Sequence, residues 1–330
     1  MRRRTFIAAS LGTIAGGVGA VMPGQVLRNG DLHTGAALAF GTTVTVSVVH
    51  QDTQQAELAI EDALAEASKV DALMSIYSES SQVFKLNRDG LLEKPDPHLL
   101  AVLAHARGLS RLTKGAFDIT VQPLWLTFRE AALGGFLPPA MLKQEALDSV
   151  GWEYVDAGPD LVKLRQPGMA VTLNGLAQGY AADLALAAVR ARGVRHALID
   201  TGEFLSDGAL SASGRPWTLG VADPREQGRL ASAVRLVGRG AATSGDYESS
   251  FTPDFVHHHI FDPVTGDSPQ ELASVTVLAP TGIEADGLST AFMVMGARKA
   301  HALAARLPGV DLMTINKRGI VWKSPSFPAA

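Results

Sequence analysis

The chain has 330 residues, a hydrophobic fraction of 46%, a charged fraction of 19% and a formal net charge of -4. These values fit a folded globular protein of one or two domains, and the charge gives no reason to expect a nucleic-acid partner. The chain contains no cysteine, which excludes disulfides, iron–sulfur clusters, thiolate zinc sites and cysteine nucleophiles.

The first 35 residues predict an export leader. Arg2, Arg3 and Arg4 precede a mildly apolar, glycine-rich run that ends at Val21. This pattern indicates a twin-arginine signal, and the run is short for a membrane span. A simple membrane anchor and an ordinary secretory segment are the alternatives. We therefore predict a periplasmic protein whose leader is either cleaved or kept as an inner-membrane anchor, with a single folded domain over 36–330.

The elements predicted along this domain alternate between strands and helices. Alternating β-branched residues predict a strand over 42–49. Apolar residues at helical spacing predict helices over 55–74 and around 99–109, with a loop over 75–90 between them. Further elements are predicted as strands over 161–164, 170–173, 197–199, 217–221, 231–237 and 274–278, helices over 175–192 and 284–303, and a hairpin over 312–323. The chain shows no repeat and no central linker. We expect a compact α+β body built on a mixed sheet with flanking helices, with a division into two lobes left open.

A carboxylate and a hydroxyl lie one helical turn apart near the C-terminus. Asp286 and Thr290 are four residues apart on a predicted helix, so their side chains share one face. Such a pair can bind a hard cation such as Mg²⁺, which prefers oxygen ligands. Taken alone, the pair fits better a helix-start aspartate followed by a threonine that bonds back to the helix backbone.

A glycine begins the predicted helix over 175–192. Because Gly175 has no side chain, its backbone could approach a phosphate or a metal closely. A simple turn is the alternative. The sequence contains no Walker loop that would favour a nucleoside triphosphate.

The stretch HHHIFDPVTG, residues 257–266, places three histidines beside an aspartate. On an extended segment His257 and His259 would share one face and His258 would lie on the other. Zinc is disfavoured because neither a second histidine at helical spacing nor a thiolate supports it. A histidine near a carboxylate suits proton transfer at neutral pH. A serine hydrolase is a further possibility, but the chain has no G-x-S-x-G motif.

Several motifs in a fixed order resemble one protein family. They are SIY at 75–77, GAFDITVQPL at 115–124, NGLAQGY at 174–180, TSGDYE at 243–248, HHIFDPVTG at 258–266 and ADGLST at 285–290. Together they resemble the ApbE family of FAD:protein FMN transferases, from about Phe40 to the C-terminal hairpin.

The resemblance implies an enzyme that binds FAD as substrate with Mg²⁺, transfers FMN to a threonine or serine hydroxyl of a target flavoprotein, and releases AMP. The metal would be held by the backbone of Gly175 with Asp286 and Thr290. His259 would be the functional histidine, with Asp262 and Asp286 as further catalytic residues. The FAD contacts would be Phe40, Tyr77, Ala116, Phe117, Asp118, Thr172, Gln178 and Ile260.

The sequence departs from the family pattern at several positions. The family commonly has an aspartate and a lysine where this chain has Thr172 and Gln178, a loss of both charges that resembles a compensated exchange. In the family's first MGT motif this chain has Phe40 in place of the methionine. Where the family has two glycines after the central strand, this chain has Thr201-Gly202. The NGLAQG wording at 174–179, the FGT start at Phe40 and the twin-arginine leader resemble a NosX-like branch, whose acceptor is a membrane flavoprotein of the nitrous oxide reductase system. An FAD pyrophosphatase and a non-catalytic periplasmic FAD carrier are the alternatives.

Overall fold

The structure is a computed structural model that describes residues 23–211 and 214–328, so the predicted twin-arginine motif lies outside the described residues. The helices are α1 (Thr53–Met74), α2 (Gln82–Asp89), α3 (Pro97–Thr113), α4 (Gln122–Leu133), α5 (Ala140–Asp148), α6 (Ala177–Ala191), α7 (Gly282–Met295) and α8 (Ala297–Ala304). The strands are β1 (Val26–Asn29), β2 (Leu32–Ala39), β3 (Thr42–Val49), β4 (Leu91–Glu93), β5 (Val155–Ala157), β6 (Leu161–Leu164), β7 (Ala197–Asp200), β8 (Phe204–Asp207), β9 (Trp217–Ala222), β10 (Leu230–Leu236), β11 (Gly240–Gly245), β12 (Leu272–Ala279), β13 (Asp311–Asn316) and β14 (Val321–Lys323).

A nine-stranded sheet forms the centre of the molecule, in the order β1-β2-β3-β7-β8-β11-β12-β13-β14. Every pairing between neighbours in this sheet is antiparallel. Helices α1, α6 and α7 contact the sheet and one another, and the β9–β10 hairpin packs its apolar residues against β12 and β13. Every residue of β12 is buried, as expected for a strand covered on both faces. The α+β class is confirmed, with antiparallel rather than mixed strand directions.

Three local expectations differ from the structure. Strands β1 and β2 begin within the segment assigned to the leader, so the boundary at residue 36 falls inside β2. The expected loop over 75–90 contains α2, which is capped by the Ser81 side chain and ended by Gly90 in a left-handed conformation. Residues 170–173 form no strand, because the Asn87 side chain makes both backbone hydrogen bonds of Val171, at 2.7 and 2.8 Å. None of the helices in the described part of the chain is long and apolar enough to cross a membrane.

A buried ion pair fastens the long connection between β11 and β12, which contains the three histidines. Arg225 donates two hydrogen bonds to the Asp246 carboxylate, at 2.8 and 2.7 Å. Its guanidinium also lies 4.8 Å from the ring centroid of Phe255, which has a positive φ of 59°. Lys317 donates to the Phe255 carbonyl at 2.7 Å. Two cations therefore hold the turn of this connection against the body of the protein.

We expect Arg225→Met to lower the free energy of unfolding by roughly 2–3 kcal/mol, because it leaves a buried carboxylate without its main partner. The Asp246 side chain is 0% exposed and that of Arg225 is 29% exposed, so the loss should be smaller than for a fully buried pair. Arg229→Met is the matched control, since Arg229 pairs with Glu226 where both side chains are more than 60% exposed. Urea unfolding should show little change for the control, because exposed ion pairs contribute little to stability, and equal losses in both variants would contradict the prediction.

Candidate active site

A cleft of about 740 Å³ opens where the ends of several elements meet. We call residues 257–266 the histidine segment. The walls of the cleft come from the β2–β3 turn, the end of α1, residues 116–129 with the start of α4, the start of α6, the β7–β8 turn, the end of β11, the histidine segment and α7. The predicted residues that line it are Phe40, Tyr77, Ala116, Phe117, Asp118, Thr172, Gly175, Gln178, His259, Ile260, Asp286 and Thr290. Asp262 is not among the lining residues. The cleft therefore brings together residues that are as far apart in the chain as Phe40 and Thr290.

The start of α6 and the middle of α7 approach each other closely in this cleft. A Cβ atom added to Gly175 would lie 3.0 Å from the Thr290 hydroxyl oxygen, so only glycine lets the backbone come this near without displacing that side chain. The backbone N–H of Gly179 donates to the Asp286 carboxylate at 3.0 Å. The Thr290 hydroxyl oxygen lies 3.3 Å from that of Ser244. The three predicted metal-binding residues are thus assembled at one place.

Three carboxyl groups, those of Asp200, Glu203 and Asp286, lie in the cleft. Burial raises the pKa of Asp286 to about 7, and it raises the pKa of Asp200 to about 6. Burial, with the nearby charge of Asp286, raises the pKa of Glu203 well above its usual range. Among residues 23–211 and 214–328, no ion pair joins any of these three carboxylates to a basic side chain. A cation bound here would relieve this repulsion.

The oxygen-rich chemistry of this site fits Mg²⁺. Across the part of the chain that the structure describes, no group of three histidine, cysteine, aspartate or glutamate side chains is arranged to hold a metal. The fit therefore rests on a mixed set, the Gly175 backbone with the Asp286 carboxylate and the Thr290 hydroxyl. Hard oxygen ligands of this kind, completed by water and substrate phosphate, are typical of Mg²⁺.

The three histidines have three different environments. His259 lines the cleft, and its backbone N–H donates to the Ser249 carbonyl at 2.9 Å. His257 makes a 2.7 Å hydrogen bond to Asp267 and packs beside the ring of Phe128. His258 is fully buried. Burial lowers the pKa of His258 to about 3, so this imidazole is neutral at physiological pH.

Asp262 lies in the turn that follows His259 in the chain. Its carboxylate accepts a 2.9 Å hydrogen bond from the Val264 backbone N–H, and its own N–H donates to the Asp267 carbonyl at 2.8 Å. Asp262 therefore shapes this turn, and its side chain is not part of the cleft lining.

The residues expected to contact the flavin differ in their exposure and in the hydrogen bonds they already make. Tyr77 is exposed at the rim, with its ring edge-on to Trp125 at 6.4 Å. The Asp118 carboxylate accepts hydrogen bonds from the Thr120 N–H, the Thr120 hydroxyl and the Trp152 N–H, at 2.8, 2.6 and 3.0 Å. Because three protein donors already use this carboxylate, Asp118 shapes its loop, and the neighbouring backbone is better placed to contact a ligand.

Two departures from the family pattern are bonded to each other. The Gln178 side-chain amide donates to the Thr201 carbonyl, and the Thr201 hydroxyl donates to the Gln178 carbonyl at 2.8 Å. A Cβ atom on Gly202 would collide with the Gln178 amide at 2.0 Å, and Gly202 has a φ of +101°. Gln178, Thr201 and Gly202 therefore form one interlocked unit.

The cleft also contains residues that the sequence reasoning missed, among them Asp200, Glu203, Trp125 and Arg129. Asp200 and Glu203 flank the glycine turn after a predicted strand, which is where polar residues often form sites, so this signal was available. Trp125 and Arg129 lie on α4, with the guanidinium 4.9 Å from the indole centroid. The sequence reasoning assigned no helix there, so nothing indicated which way these side chains would point.

Comparison with known proteins agrees with this geometry. The model of the ApbE family matches residues 40–314. The FAD:protein FMN transferase of Salmonella typhimurium is 31% identical over 308 residues, covering 87% of this chain and 86% of that protein. The Escherichia coli K12 protein of the same name is 30% identical over 277 residues, covering 78% and 77%.

Solved structures show the same fold. The ApbE protein of Thermotoga maritima superposes with a TM-score of 0.79 at 29% identity, covering 89% of this chain and 97% of that one. The flavinyl transferase ApbE of Pseudomonas stutzeri gives 0.75 at 28% identity, covering 92% and 97%. The fold is that of solved flavin transferases. The chain belongs to the ApbE family.

Proposed function

We propose that this chain transfers the FMN half of FAD to a threonine or serine hydroxyl of an acceptor protein and releases AMP. The observation that carries the proposal is the convergence of Gly175, Asp286, Thr290 and His259 on one cleft of about 740 Å³. That volume is within the range of small-molecule and cofactor sites, about 300–1,000 Å³.

The reaction exchanges one phosphorus–oxygen bond for another. The acceptor hydroxyl oxygen bonds to the FMN phosphorus, the bond from that phosphorus to the bridging oxygen breaks, and AMP leaves with the bridging oxygen. The hydroxyl proton must go to a base, and His259 is the imidazole at the cleft that can take it. Walls made of Phe117, Ile260 and Phe261 exclude water, which favours the protein hydroxyl over hydrolysis.

Magnesium is the cation we propose for the site formed by Gly175, Asp286 and Thr290, where it would neutralise charge on the phosphoryl oxygens. The chain's own contribution is to hold these oxygen ligands in place. Asp286 is fixed by the Gly179 N–H, and Thr290 is fixed by its neighbours Gly175 and Ser244.

The proposed location and acceptor rest on the sequence. Arg2–Arg4 and the apolar run support twin-arginine export to the periplasm. The resemblance to the NosX-like branch supports a membrane flavoprotein of nitrous oxide reductase maturation as acceptor. The names of the relatives specify a protein acceptor in general, and they leave its identity open.

The decisive experiment incubates the 330-residue chain with FAD, Mg²⁺ and a periplasmic flavoprotein domain that bears an acceptor threonine. We expect the intact mass of the acceptor to rise by one FMN phosphoester, with an equal amount of AMP released and no reaction in EDTA. Release of AMP without labelling would instead establish an FAD pyrophosphatase. Retention of intact FAD would establish a carrier, in which case Thr172→Asp combined with Gln178→Lys should introduce turnover.

A further inference from the structure

The helix α4 carries one face that begins in the cleft and ends outside it. Gln122, Trp125 and Arg129 line the cleft, at spacings of three and four residues. Leu133 lies one turn after Arg129 on the same face, about 12 Å along the helix from Trp125. The Leu133 side chain is 74% exposed. The cleft wall therefore continues without a change of face onto the outer surface.

Large apolar side chains are concentrated at that outer end. Phe136 is 60% exposed and Met141 is 69% exposed. We use the name α4–α5 patch for the six exposed residues Leu126, Leu133, Phe136, Leu137, Met141 and Leu142. Exposed apolar residues scattered singly are ordinary, whereas a contiguous group beside a site indicates a contact surface.

The patch is presented on a well-anchored support. On its inner side α4 buries Leu124 and Phe128, and the Phe128 ring lies 5.0 Å from that of Phe261, two residues after His259. Pro138 and Pro139 restrict the loop between the two helices. The patch therefore has a fixed position relative to the histidine segment.

We propose that the α4–α5 patch docks the folded acceptor protein, through an apolar surface next to the hydroxyl that receives FMN. This rests on the proposed function, since such a reaction requires a second protein at the mouth of the cleft. From Ala131 to Leu142 the sequence contains no charged residue, which is typical of the core of a protein interface. The basic residues that flank this run are engaged within the protein, Arg129 over the Trp125 ring and Lys143 with Asp267, whereas a membrane-binding surface would be expected to present lysine or arginine outward. A second copy of the chain seated there would obstruct the approach of the acceptor.

The test compares Leu133→Gln/Met141→Gln with the control Val237→Gln/Ile320→Gln. The control residues are also exposed and apolar, and they lie on parts of the chain that do not line the cleft. Initial rates are measured with the 330-residue chain and an acceptor domain that the parent labels. We expect the patch variant to raise KM for the acceptor domain about tenfold or more, the size of effect typical when central apolar contacts are lost. Its kcat, FAD affinity and Tm should stay at parental values, and the control should match the parent throughout.

A KM within twofold of the parent would overturn the docking role while leaving the proposed function intact. So would equal effects in both variants. If the patch variant lost the parent's binding to phosphatidylethanolamine–phosphatidylglycerol vesicles while its KM stayed unchanged, the patch would be a lipid-binding surface instead. If the patch variant differed from the parent in oligomeric mass by sedimentation while its KM stayed unchanged, the patch would bind a second copy of the chain. Failure of the parent to label the acceptor would remove the proposed function, and the docking role with it.

Discussion

Replacing Asp286 by asparagine is expected to reduce FMN transfer by a factor of about 10²–10³, the loss typical when electrostatic stabilisation of the transition state is removed, because the variant would no longer hold the Mg²⁺ that supplies it. Asparagine keeps the shape of the side chain and an oxygen that can accept from the Gly179 N–H. The variant therefore lacks only the negative charge proposed to bind Mg²⁺. Rates are read as acceptor mass and AMP release across a Mg²⁺ titration, and extra Mg²⁺ should not restore the rate.

The same substitution should make the metal-free protein more stable at neutral pH. Burial raises the folded-state pKa of Asp286 from 3.8 to about 7, so between these values the folded state holds a proton that the unfolded state releases. The contribution of this group to stability therefore falls as pH rises from about 4 to 7. In EDTA, Tm measured across this range should fall less steeply for Asp286→Asn than for the parent. Mg²⁺ should raise the Tm of the parent at pH 7.5 and leave the variant unchanged.

Thr290 provides the matched comparison for the hydroxyl ligand. Thr290→Val preserves the shape of the side chain and removes the hydroxyl, whereas Thr290→Ser preserves the hydroxyl that lies 3.3 Å from Ser244. We expect the valine variant to require a higher Mg²⁺ concentration than the serine variant. Full activity of Asp286→Asn at the parental Mg²⁺ concentration would contradict the assigned metal site, whatever the result at Thr290.

Regular burial explains which elements could be predicted from the sequence. In β3 the buried residues Val44, Val46 and Val48 alternate strictly, and in α1 the buried positions recur every three or four residues. In helix α4 the apolar residues do not separate clearly into buried and exposed positions. Its outer face carries the exposed leucines Leu126 and Leu133 beside Arg129 and Glu130, and Val121 at its start makes no side-chain cap. The surface that makes α4 a candidate docking element is therefore also the feature that hid the helix.

Some residues of the site could likewise be predicted from the sequence, and others could not. Gly175, His259, Asp286 and Thr290 belong to motifs whose order along the chain identifies the family, so they were predictable. Asp200 and Glu203 reach the cleft because β7 and β8 pair next to β3 and β11 in the central sheet. That arrangement depends on tertiary pairing, which local spacing does not encode. It also explains why this group of carboxyls became visible only in the folded chain.

Replacing His259 by alanine is expected to lower kcat for FMN transfer by about 10²–10⁴-fold, the usual contribution of a general base. His259 is the imidazole of the histidine segment that lines the cleft, and its backbone is held by Ser249. Since the substitution removes proton transfer rather than flavin binding, KM for FAD should change only a few fold. Stopped reactions with saturating acceptor and Mg²⁺ separate these two parameters.

His257→Ala is the control within the same stretch of sequence. Its imidazole bonds to Asp267 at 2.7 Å and contacts Phe128, away from the lining of the cleft. Losing that hydrogen bond should cost about 1 kcal/mol of folding stability, with kcat close to that of the parent. If His259→Ala transferred FMN at the parental rate, another group would have to accept the proton. Glu203 would then be the first to test, because its carboxyl group lies in the same cleft.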